Sequence, residues 1–313
     1  MDLITVIVPC FNEEKALPHF YAKISEIAGS MRHVQFELLF VDDGSSDGTL
    51  HLLREYARDD SRCRYISFSR NFGKEAAMFA GLENANGGYI VFMDADLQDP
   101  PELLAEMYET LAQEEYDCVA TRRTDRKGEP LLRSFFARSF YRFINRISKT
   151  KIVDGARDFR MMTRQMADAV LELKEYHRFS KGIFEWVGFR TKWIEYSNIE
   201  RVDGDTKWSF WKLFKYSMEG IVAFSTLPLS IASVTGLILF FISIVMIIFI
   251  IVRTLIWGDP VAGWPAMVCI IFLVGGIQLF CTGIAGQYVA KSYMELKKRP
   301  IYIVRETEDK LKK

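Results

Sequence analysis

The chain has 313 residues and a formal net charge of zero, with 40 basic and 40 acidic side chains. A neutral chain gives no electrostatic support for binding nucleic acid, and we predict no such partner. Hydrophobic residues make up 50 % of the chain, but charged residues are frequent up to Glu219 and almost absent from there to Lys291. The composition therefore predicts a polar domain followed by a membrane region.

The first 121 residues alternate between short apolar runs and helical patterns. The runs are rich in β-branched and aromatic residues, which predicts strands at 3–8, 37–41, 65–69, 89–93 and 117–121. Helical spacing of apolar residues fills the intervals between them. This cadence predicts βαβ crossovers and an α/β domain with a mainly parallel sheet.

Polar side chains follow every predicted strand. In chain order they are Asn12, Asp42 with Asp43, Arg70, Asp94 with Asp96, and Arg122 with Arg123. Ligands of open α/β sheets bind outside the carboxyl ends of the strands, so these residues predict one shared site. A Gly-x-Gly-x-x-Gly motif and a Walker loop are both missing from the sequence, which argues against a Rossmann dehydrogenase or a P-loop enzyme.

The most informative strand end is the acidic segment that begins at Asp94. In extended chain Asp94 and Asp96 point to the same side, and the amide oxygen of Gln98 follows closely. Oxygen donors of this kind suit Mg²⁺ or Mn²⁺ that also holds substrate phosphates. The alternative interpretation is an acidic turn that caps a helix.

Four ordered motifs give the chain a resemblance to a known family. They are VPCFNE at 8–13, VDDGSSDGT at 41–49, RNFGK at 70–74 and DADLQDPP at 94–101. The sequence resembles the inverting family 2 glycosyltransferases, which have the Rossmann-like GT-A fold. The subgroup it resembles most is the polyprenyl-phosphate sugar synthases, which includes dolichol-phosphate mannose synthase and the bactoprenol glucosyltransferases.

The resemblance implies roles for the residues of these motifs. Those expected to bind the nucleotide sugar are Pro9, Asn12, Glu14, Asp42, Asp43, Arg70, Lys74 and Asp94. Those expected to hold the metal and the diphosphate are Asp94, Asp96 and Gln98. Asp94 and Asp96 are thereby also predicted to be catalytic.

The resemblance further implies that acceptor recognition lies downstream of the fifth strand. Arg122 and Arg138 are expected to hold the lipid phosphate, and Arg201 and Lys207 to close over the diphosphate and the acceptor phosphate. Within the acceptor-side segment 155–162, Asp158 is a candidate base or an orienting group for the acceptor. The competing interpretation of Asp158 is an ion pair with a neighbouring arginine, Arg157 or Arg160.

The remaining sequence predicts contact with a membrane. After a GT-A domain at 1–207, the segment 208–226 has the pattern of an amphipathic interface helix. The region 227–290 is predicted to hold two transmembrane helices, near 229–252 and 264–288, followed by a tail at 291–313. Lysine and arginine cluster on the outer flanks, which predicts that the catalytic domain and both termini lie in the cytoplasm. The resemblance implies a multi-pass protein of the bacterial inner membrane.

Together these features predict a metal-dependent enzyme that transfers a hexose to undecaprenyl or another polyprenyl phosphate with inversion. The expected donor is UDP-glucose, and the β-linked product would serve as a lipid-linked donor for cell-envelope glycosylation. GDP-mannose, UDP-N-acetylglucosamine and a UDP-aminoarabinose derivative stay open as donors. A processive polysaccharide synthase and a non-catalytic membrane scaffold are the rival classes. We also expect a homo-oligomer, with a tetramer as one option.

Overall fold

The computed structural model describes residues 1–113, 115–123, 153, 155–176, 178–196, 227–257 and 263–310. The chain divides into two compact units. The first combines Met1–Ser217 with Pro300–Lys313, and the second is Met218–Arg299. The first unit therefore contains residues from both sides of the second.

The first unit is built on a sheet of eight strands. In chain order they are β1 Asp2–Cys10, β2 Val34–Asp42, β3 Cys63–Phe68, β4 Tyr89–Phe92, β5 Cys118–Arg123, β6 Ala156–Thr163, β7 Thr191–Tyr196 and β8 Val304–Thr307. Their order across the sheet is β7-β5-β6-β4-β1-β2-β3-β8. Only β6 and β8 run antiparallel to their neighbours, which confirms the predicted α/β fold with a mainly parallel sheet.

Six helices accompany the sheet in the part of this unit that the structure describes. They are α1 Leu17–Ser30, α2 Thr49–Asp59, α3 Lys74–Asn84, α4 Leu103–Ala112, α5 Arg164–Glu172 and α6 Ser180–Trp186. Strands β1 to β4 alternate with α1 to α3, as predicted, because each helix carries a parallel crossover. On α3, a Cβ atom at Gly81 would come within 2.2 Å of Ile7, so glycine there allows close packing of α3 against β1.

The centre of the sheet is fully buried. Val6, Val8 and Phe40 have no exposed surface and pack against Phe20 of α1 and Leu104 of α4. Because the central strands are covered on both faces, they carry nearly continuous apolar runs. Such runs allow these strands to be predicted from the sequence alone.

Strand β6 was not predicted, and it changes how the sheet edge is built. It inserts between β4 and β5 and is antiparallel to both. Its first residues therefore lie at the edge where β4 and β5 end. This arrangement brings Asp158, near the start of β6, to the same edge as Asp94.

Strand β8 was also not predicted, because 291–313 was expected to be only a tail. It pairs antiparallel with β3 and is held by charged contacts. Glu308 accepts a hydrogen bond from Arg64 Nε at 2.7 Å, and Glu306 lies 2.6 Å from Arg54 Nη2. The ring of Tyr302 stacks on Phe68 at a centroid distance of 4.9 Å. The segment after the second unit thus completes the sheet of the first.

The second unit contains two long helices, α7 Leu227–Trp257 and α8 Trp264–Leu296. They include both segments that were predicted to span a membrane and extend beyond them. Among the described residues, the stretch Leu273–Leu296 has the length and apolar composition needed to cross a bilayer. Two transmembrane crossings stay a prediction, and the predicted interface helix at 208–226 lies outside the described residues.

Candidate active site

The ends of β1 and β2 are joined by hydrogen bonds between their loops. The backbone N–H of Asn12 donates to Ser45 Oγ and its side-chain oxygen accepts from Ser46 N–H, both at 2.9 Å. Glu14 accepts from Gly48 N–H at 3.0 Å. Asn12 has a φ of +56°, a conformation that asparagine tolerates better than most residues. The structure therefore brings Asn12, Glu14 and the loop after Asp42 together, beside the half-buried Pro9 on β1.

The two aspartates at the end of β2 are buried and already engaged. Asp42 accepts from Ser67 Oγ at 2.7 Å and from Ser45 N–H at 2.9 Å. Asp43 accepts from the backbone N–H groups of Phe72 and Gly73 at 2.6 and 2.9 Å. Burial raises the pKa of Asp43 to about 6, although these two donors act in the opposite direction. Asp43 thus fixes the RNFGK loop that leads into α3.

The loop fixed by Asp43 carries two further predicted residues. The exposed Arg70 places its guanidinium 4.0 Å from the centre of the Phe72 ring. Lys74, the first residue of α3, extends its ammonium between two carboxylates, 2.7 Å from Asp94 and 2.7 Å from Asp158. Burial acts against the charge on Lys74, but the two carboxylates outweigh it and raise its pKa.

Asp158 is therefore the ion-pair partner of Lys74, whereas the sequence predicted Arg157 or Arg160 as its partner. Burial acts to raise the pKa of Asp158, but Lys74, Lys181 and Arg157 together hold it well below its usual range. Arg157 instead binds Asp99, with its Nε 3.1 Å from the carboxylate. Arg160 is fully buried, and its guanidinium lies 4.1 Å from the centre of the Phe184 ring.

The acidic turn after β4 is anchored to the core by its last aspartate, Asp99. Asp99 is 2 % exposed and accepts from both Arg157 and the hydroxyl of Tyr196. Asp96 accepts from the backbone N–H of Gln98 at 3.1 Å, and Leu97 between them has a φ of +53°. Asp94 and Asp96 remain half-buried at the surface of this turn. The structure thus separates a buried anchoring aspartate from two accessible ones.

The basic residues predicted downstream are only partly within the described structure. Arg122 on β5 forms an ion pair with Glu195 of the neighbouring strand β7, and both side chains are about half exposed. Arg138, Arg201 and Lys207 lie outside the described residues. Of the four basic residues predicted to contact the acceptor, the described structure therefore includes Arg122, which lies at the same sheet edge as Asp94 and Asp158.

Comparison with known proteins decides the family. The family model described as glycosyl transferase family 2 matches residues 5–171, more than half of the chain. The chain belongs to this family. The match includes the four motifs and the start of β6, and so it covers Asp43, Lys74, Asp94 and Asp158.

Several relatives match the family 2 glycosyltransferase almost end to end. The bactoprenol glucosyl transferase of Shigella phage SfV is 39 % identical over 98 % of this chain and 99 % of its own length. The prophage bactoprenol glucosyl transferase homolog of Escherichia coli K12 is 39 % identical over 96 % and 98 %. The protein CsbB of Bacillus subtilis 168 is 41 % identical over 97 % of this chain and 92 % of its own length.

Among solved structures, the mannosyltransferase PcManGT from Pyrobaculum calidifontis is 17 % identical over 95 % of this chain and 88 % of its own, with a TM-score of 0.46. Structural similarity at this sequence identity and TM-score assigns no role to any residue of this chain. Whether this glycosyltransferase can hold a metal therefore depends on its own donor atoms.

The donor set of this glycosyltransferase fits a hard divalent cation. Asp94 and Asp96 are accessible carboxylates on one turn, and the amide of Gln98 belongs to the same turn. Across the part of the chain that the structure describes, three acidic, histidine or cysteine side chains do not converge on one point. Mg²⁺ commonly binds proteins through one or two carboxylates and completes its shell with water and substrate phosphates. Two carboxylates are thus sufficient.

Two contacts of the site could not be anticipated from the sequence. Glu75, next to Lys74, accepts from Ser180 N–H at 3.0 Å and from the Ser180 hydroxyl, and burial raises its pKa to about 7. Lys181 donates to the backbone oxygen of Ala156, two residues before Asp158, at 2.9 Å. Both contacts join α6 to the centre of the site. Glu75 and Ser180 are about 100 positions apart in sequence, and Ala156 and Lys181 are 25 apart. No local sequence pattern indicates either contact.

Proposed function

We propose that this glycosyltransferase transfers glucose from UDP-glucose to a polyprenyl phosphate such as undecaprenyl phosphate, and inverts the linkage to give a β-linked lipid phosphate sugar. The observation that supports this most is the likeness to bactoprenol glucosyl transferases over nearly the whole chain, the second unit included. An enzyme that acts on a lipid needs both a sugar-nucleotide site and an apolar surface. The two units of this chain supply one each.

The proposed reaction needs the leaving diphosphate to be neutralised. Asp94 and Asp96, with Gln98 close by, would hold Mg²⁺ or Mn²⁺, which when bound offsets the negative charge of the diphosphate. Pro9, Asn12, Glu14, Asp42, Asp43 and Arg70 would line the nucleotide side, which is consistent with their positions at the ends of the adjacent strands β1, β2 and β3.

The acceptor supplies its own nucleophile. A phosphate monoester has a second pKa near 6 and is largely dianionic at neutral pH, so it needs no strong base. Lys74 and its neighbours lower the pKa of Asp158, which makes this carboxylate a weak proton acceptor. We therefore assign Asp158 an orienting role and give it no part in removing a proton. Arg122 would bind the acceptor phosphate, with Arg138, Arg201 and Lys207 as further proposed contacts.

The connectivity of the chain supports a particular membrane arrangement. Residues on both sides of the second unit belong to the first, and β8 pairs directly with β3. A segment that leaves and re-enters one folded unit must cross a bilayer an even number of times or not at all. We propose two crossings, in the bacterial inner membrane, with the catalytic unit and both termini in the cytoplasm, where nucleotide sugars are made. A homo-oligomer stays a prediction.

Transfer by the purified full-length chain in detergent tests the function. The chain is incubated with undecaprenyl phosphate and, separately, with labelled UDP-glucose, GDP-mannose, UDP-N-acetylglucosamine and a UDP-aminoarabinose derivative. We expect a glucosylated lipid, acid-labile as a phosphodiester, from UDP-glucose alone. Preference for another donor would correct the sugar, and glycan chains of increasing length would favour a processive synthase. Failure with every donor would contradict the proposal.

Replacing Arg122 by alanine should slow transfer to the lipid and leave nucleotide binding nearly unchanged. A charged hydrogen bond to phosphate contributes about 1.5–3 kcal/mol, or roughly ten- to hundredfold in rate when it is made in the transition state. The matched control is Glu195→Gln, which removes the ion-pair partner of Arg122 and should preserve or increase transfer. Lipid transfer and nucleotide affinity are measured on both variants. Lost nucleotide binding with intact transfer in Arg122→Ala would reverse the assignment.

Nucleotide affinity should fall as the pH drops through about 6. Asp43 has a raised pKa of about 6, so its carboxylate is charged above that pH and protonated below it. Protonation weakens its bonds to the Phe72 and Gly73 amides and loosens the RNFGK loop. UDP-glucose itself does not titrate between pH 5 and 7.5, so calorimetry over this range reports the protein. In Asp43→Asn the affinity should be low and its decrease near pH 6 should be lost, leaving only the titration of Glu75 near pH 7. An unchanged slope around pH 6 in that variant would contradict the assignment.

A further inference from the structure

The centre of the site holds a cation that belongs to the protein itself. The Lys74 ammonium bridges Asp94, at the end of β4, and Asp158, at the start of β6, with 2.7 Å to each carboxylate. The side chains are 43 %, 29 % and 24 % exposed, so ions from solution can reach all three. Asp94 is also one of the two carboxylates that we propose as metal ligands.

The backbone on either side of Lys74 is fixed. Asp43 holds the preceding residues through the amides of Phe72 and Gly73, and Glu75 holds the following turn to Ser180 of α6. A shift of the α3 N-terminus would break these partly buried hydrogen bonds. The Lys74 ammonium can therefore move only by rotation of its long, flexible side chain.

An ammonium and a divalent metal ion bound to the same carboxylate repel each other, and the repulsion is stronger in a protein site than in bulk water. An ammonium in hydrogen-bond contact with Asp94 thus raises the cost of placing a divalent ion there. We propose that Lys74 competes with the divalent metal for Asp94 and transfers to Asp158 when the metal binds. This inference rests on the metal site of the proposed function.

This competition gives Asp158 a defined task. Asp158 receives the displaced ammonium and keeps it at the site. A lysine ammonium has three N–H donors, so it can remain bound to Asp158 after its hydrogen bond to Asp94 is broken. Metal binding at Asp94, on the sugar-donor side of the site, is thereby coupled to movement of the Lys74 ammonium towards Asp158, on the acceptor side. An empty site, in turn, keeps Asp94 and Asp158 neutralised, so that two neighbouring carboxylates do not repel.

Direct titration with Mn²⁺ tests the competition without any turnover. The full-length chain in detergent, free of nucleotide, is titrated while the free Mn²⁺ signal is followed by electron paramagnetic resonance. In Lys74→Met, which keeps a stem of the same length but removes the ammonium, Mn²⁺ should bind about tenfold more tightly than in the wild type, because one charge-assisted hydrogen bond no longer has to be broken. The matched control is Lys181→Met, which also removes a positive charge near Asp158 but does not contact Asp94. Its Mn²⁺ affinity should stay within about twofold of wild type.

A double-mutant cycle tests the role of Asp158. Asp158→Asn should weaken Mn²⁺ binding when Lys74 is present, because the ammonium then has only Asp94 as a carboxylate partner. In the Lys74→Met background the same substitution should have a much smaller effect. Equal effects in both backgrounds, or Lys74→Met binding Mn²⁺ no more tightly than wild type, would overturn the inference and leave the metal site intact. Absence of Mn²⁺ binding in all of these proteins would overturn the metal site and the inference together.

Discussion

Asp96→Asn should reduce sugar transfer by on the order of a thousandfold while the protein still folds and inserts into membranes. Asp96 is half-buried at the surface of its turn, and an asparagine can still accept the hydrogen bond from the Gln98 N–H. The substitution therefore removes the charge and keeps the turn. Chelation of divalent ions from the wild-type enzyme should have the same effect, and added Mg²⁺ or Mn²⁺ should reverse it.

The matched control for this prediction is Asp59→Asn. Asp59 is 66 % exposed at the end of α2 and its only described contact is with the adjacent Arg58. The control should retain full activity, which excludes a general effect of losing one negative charge. Wild-type activity in Asp96→Asn, or undiminished transfer with a chelator present, would show that the acidic turn holds no catalytic metal.

Ending the chain after residue 225 should destabilise the catalytic unit, even though the acidic motifs are all retained. The truncation removes β8 and leaves β3 as an open edge strand. It also removes Glu306, which pairs with Arg54, one of the two carboxylate partners of Arg64, and the Tyr302 ring that stacks on Phe68. Loss of several such contacts amounts to about 4 kcal/mol, which corresponds to a decrease in Tm of roughly 10 °C for a unit of this size. Differential scanning fluorimetry measures this shift.

A second shortened protein separates the loss of β8 from the loss of the helices. It replaces 227–299 by a flexible Gly/Ser linker and keeps 300–313. This protein should recover most of the lost Tm, because β8 can again pair with β3. Glu308→Gln in the full chain supplies a milder test, since it weakens the bonds from Arg64 and the Tyr65 N–H without removing the strand. Equal Tm values for the truncated and linker proteins would show that β8 contributes no stability.

The part of the fold that could be read from sequence is the part that is buried on both faces. Strands β1 to β4 have nearly continuous apolar runs, because they are buried on both faces over most of their length. Strand β6 has no such pattern, since Arg157, Asp158 and Arg160 interrupt it. The first two find carboxylate or ammonium partners and the third lies on an aromatic ring. Those partners are distant in sequence, so the strand could not be recognised locally.

The candidate site shows the same division. Asp94, Asp96 and Gln98 belong to one short segment, and their order in the chain is enough to suggest a metal. The pairing of Asp158 with Lys74 joins residues 84 positions apart, and it depends on β6 entering the sheet between β4 and β5. The sequence offered Arg157 and Arg160 as partners of Asp158 because they are its neighbours. The strand geometry instead directs Arg157 to Asp99.

The pairing of β3 with β8 also affects how this protein is made. Tyr65 and Glu308, which hydrogen-bond across that pair, are separated by 243 residues. At a synthesis rate of about 5–20 residues per second, β3 leaves the ribosome roughly 12–50 seconds before its partner exists. During that interval the sheet edge is exposed to other nascent chains and to chaperones. The final pairing also has a high contact order, which slows folding. The catalytic sheet is therefore completed only after both long helices, which precede β8 in the chain, have been synthesised.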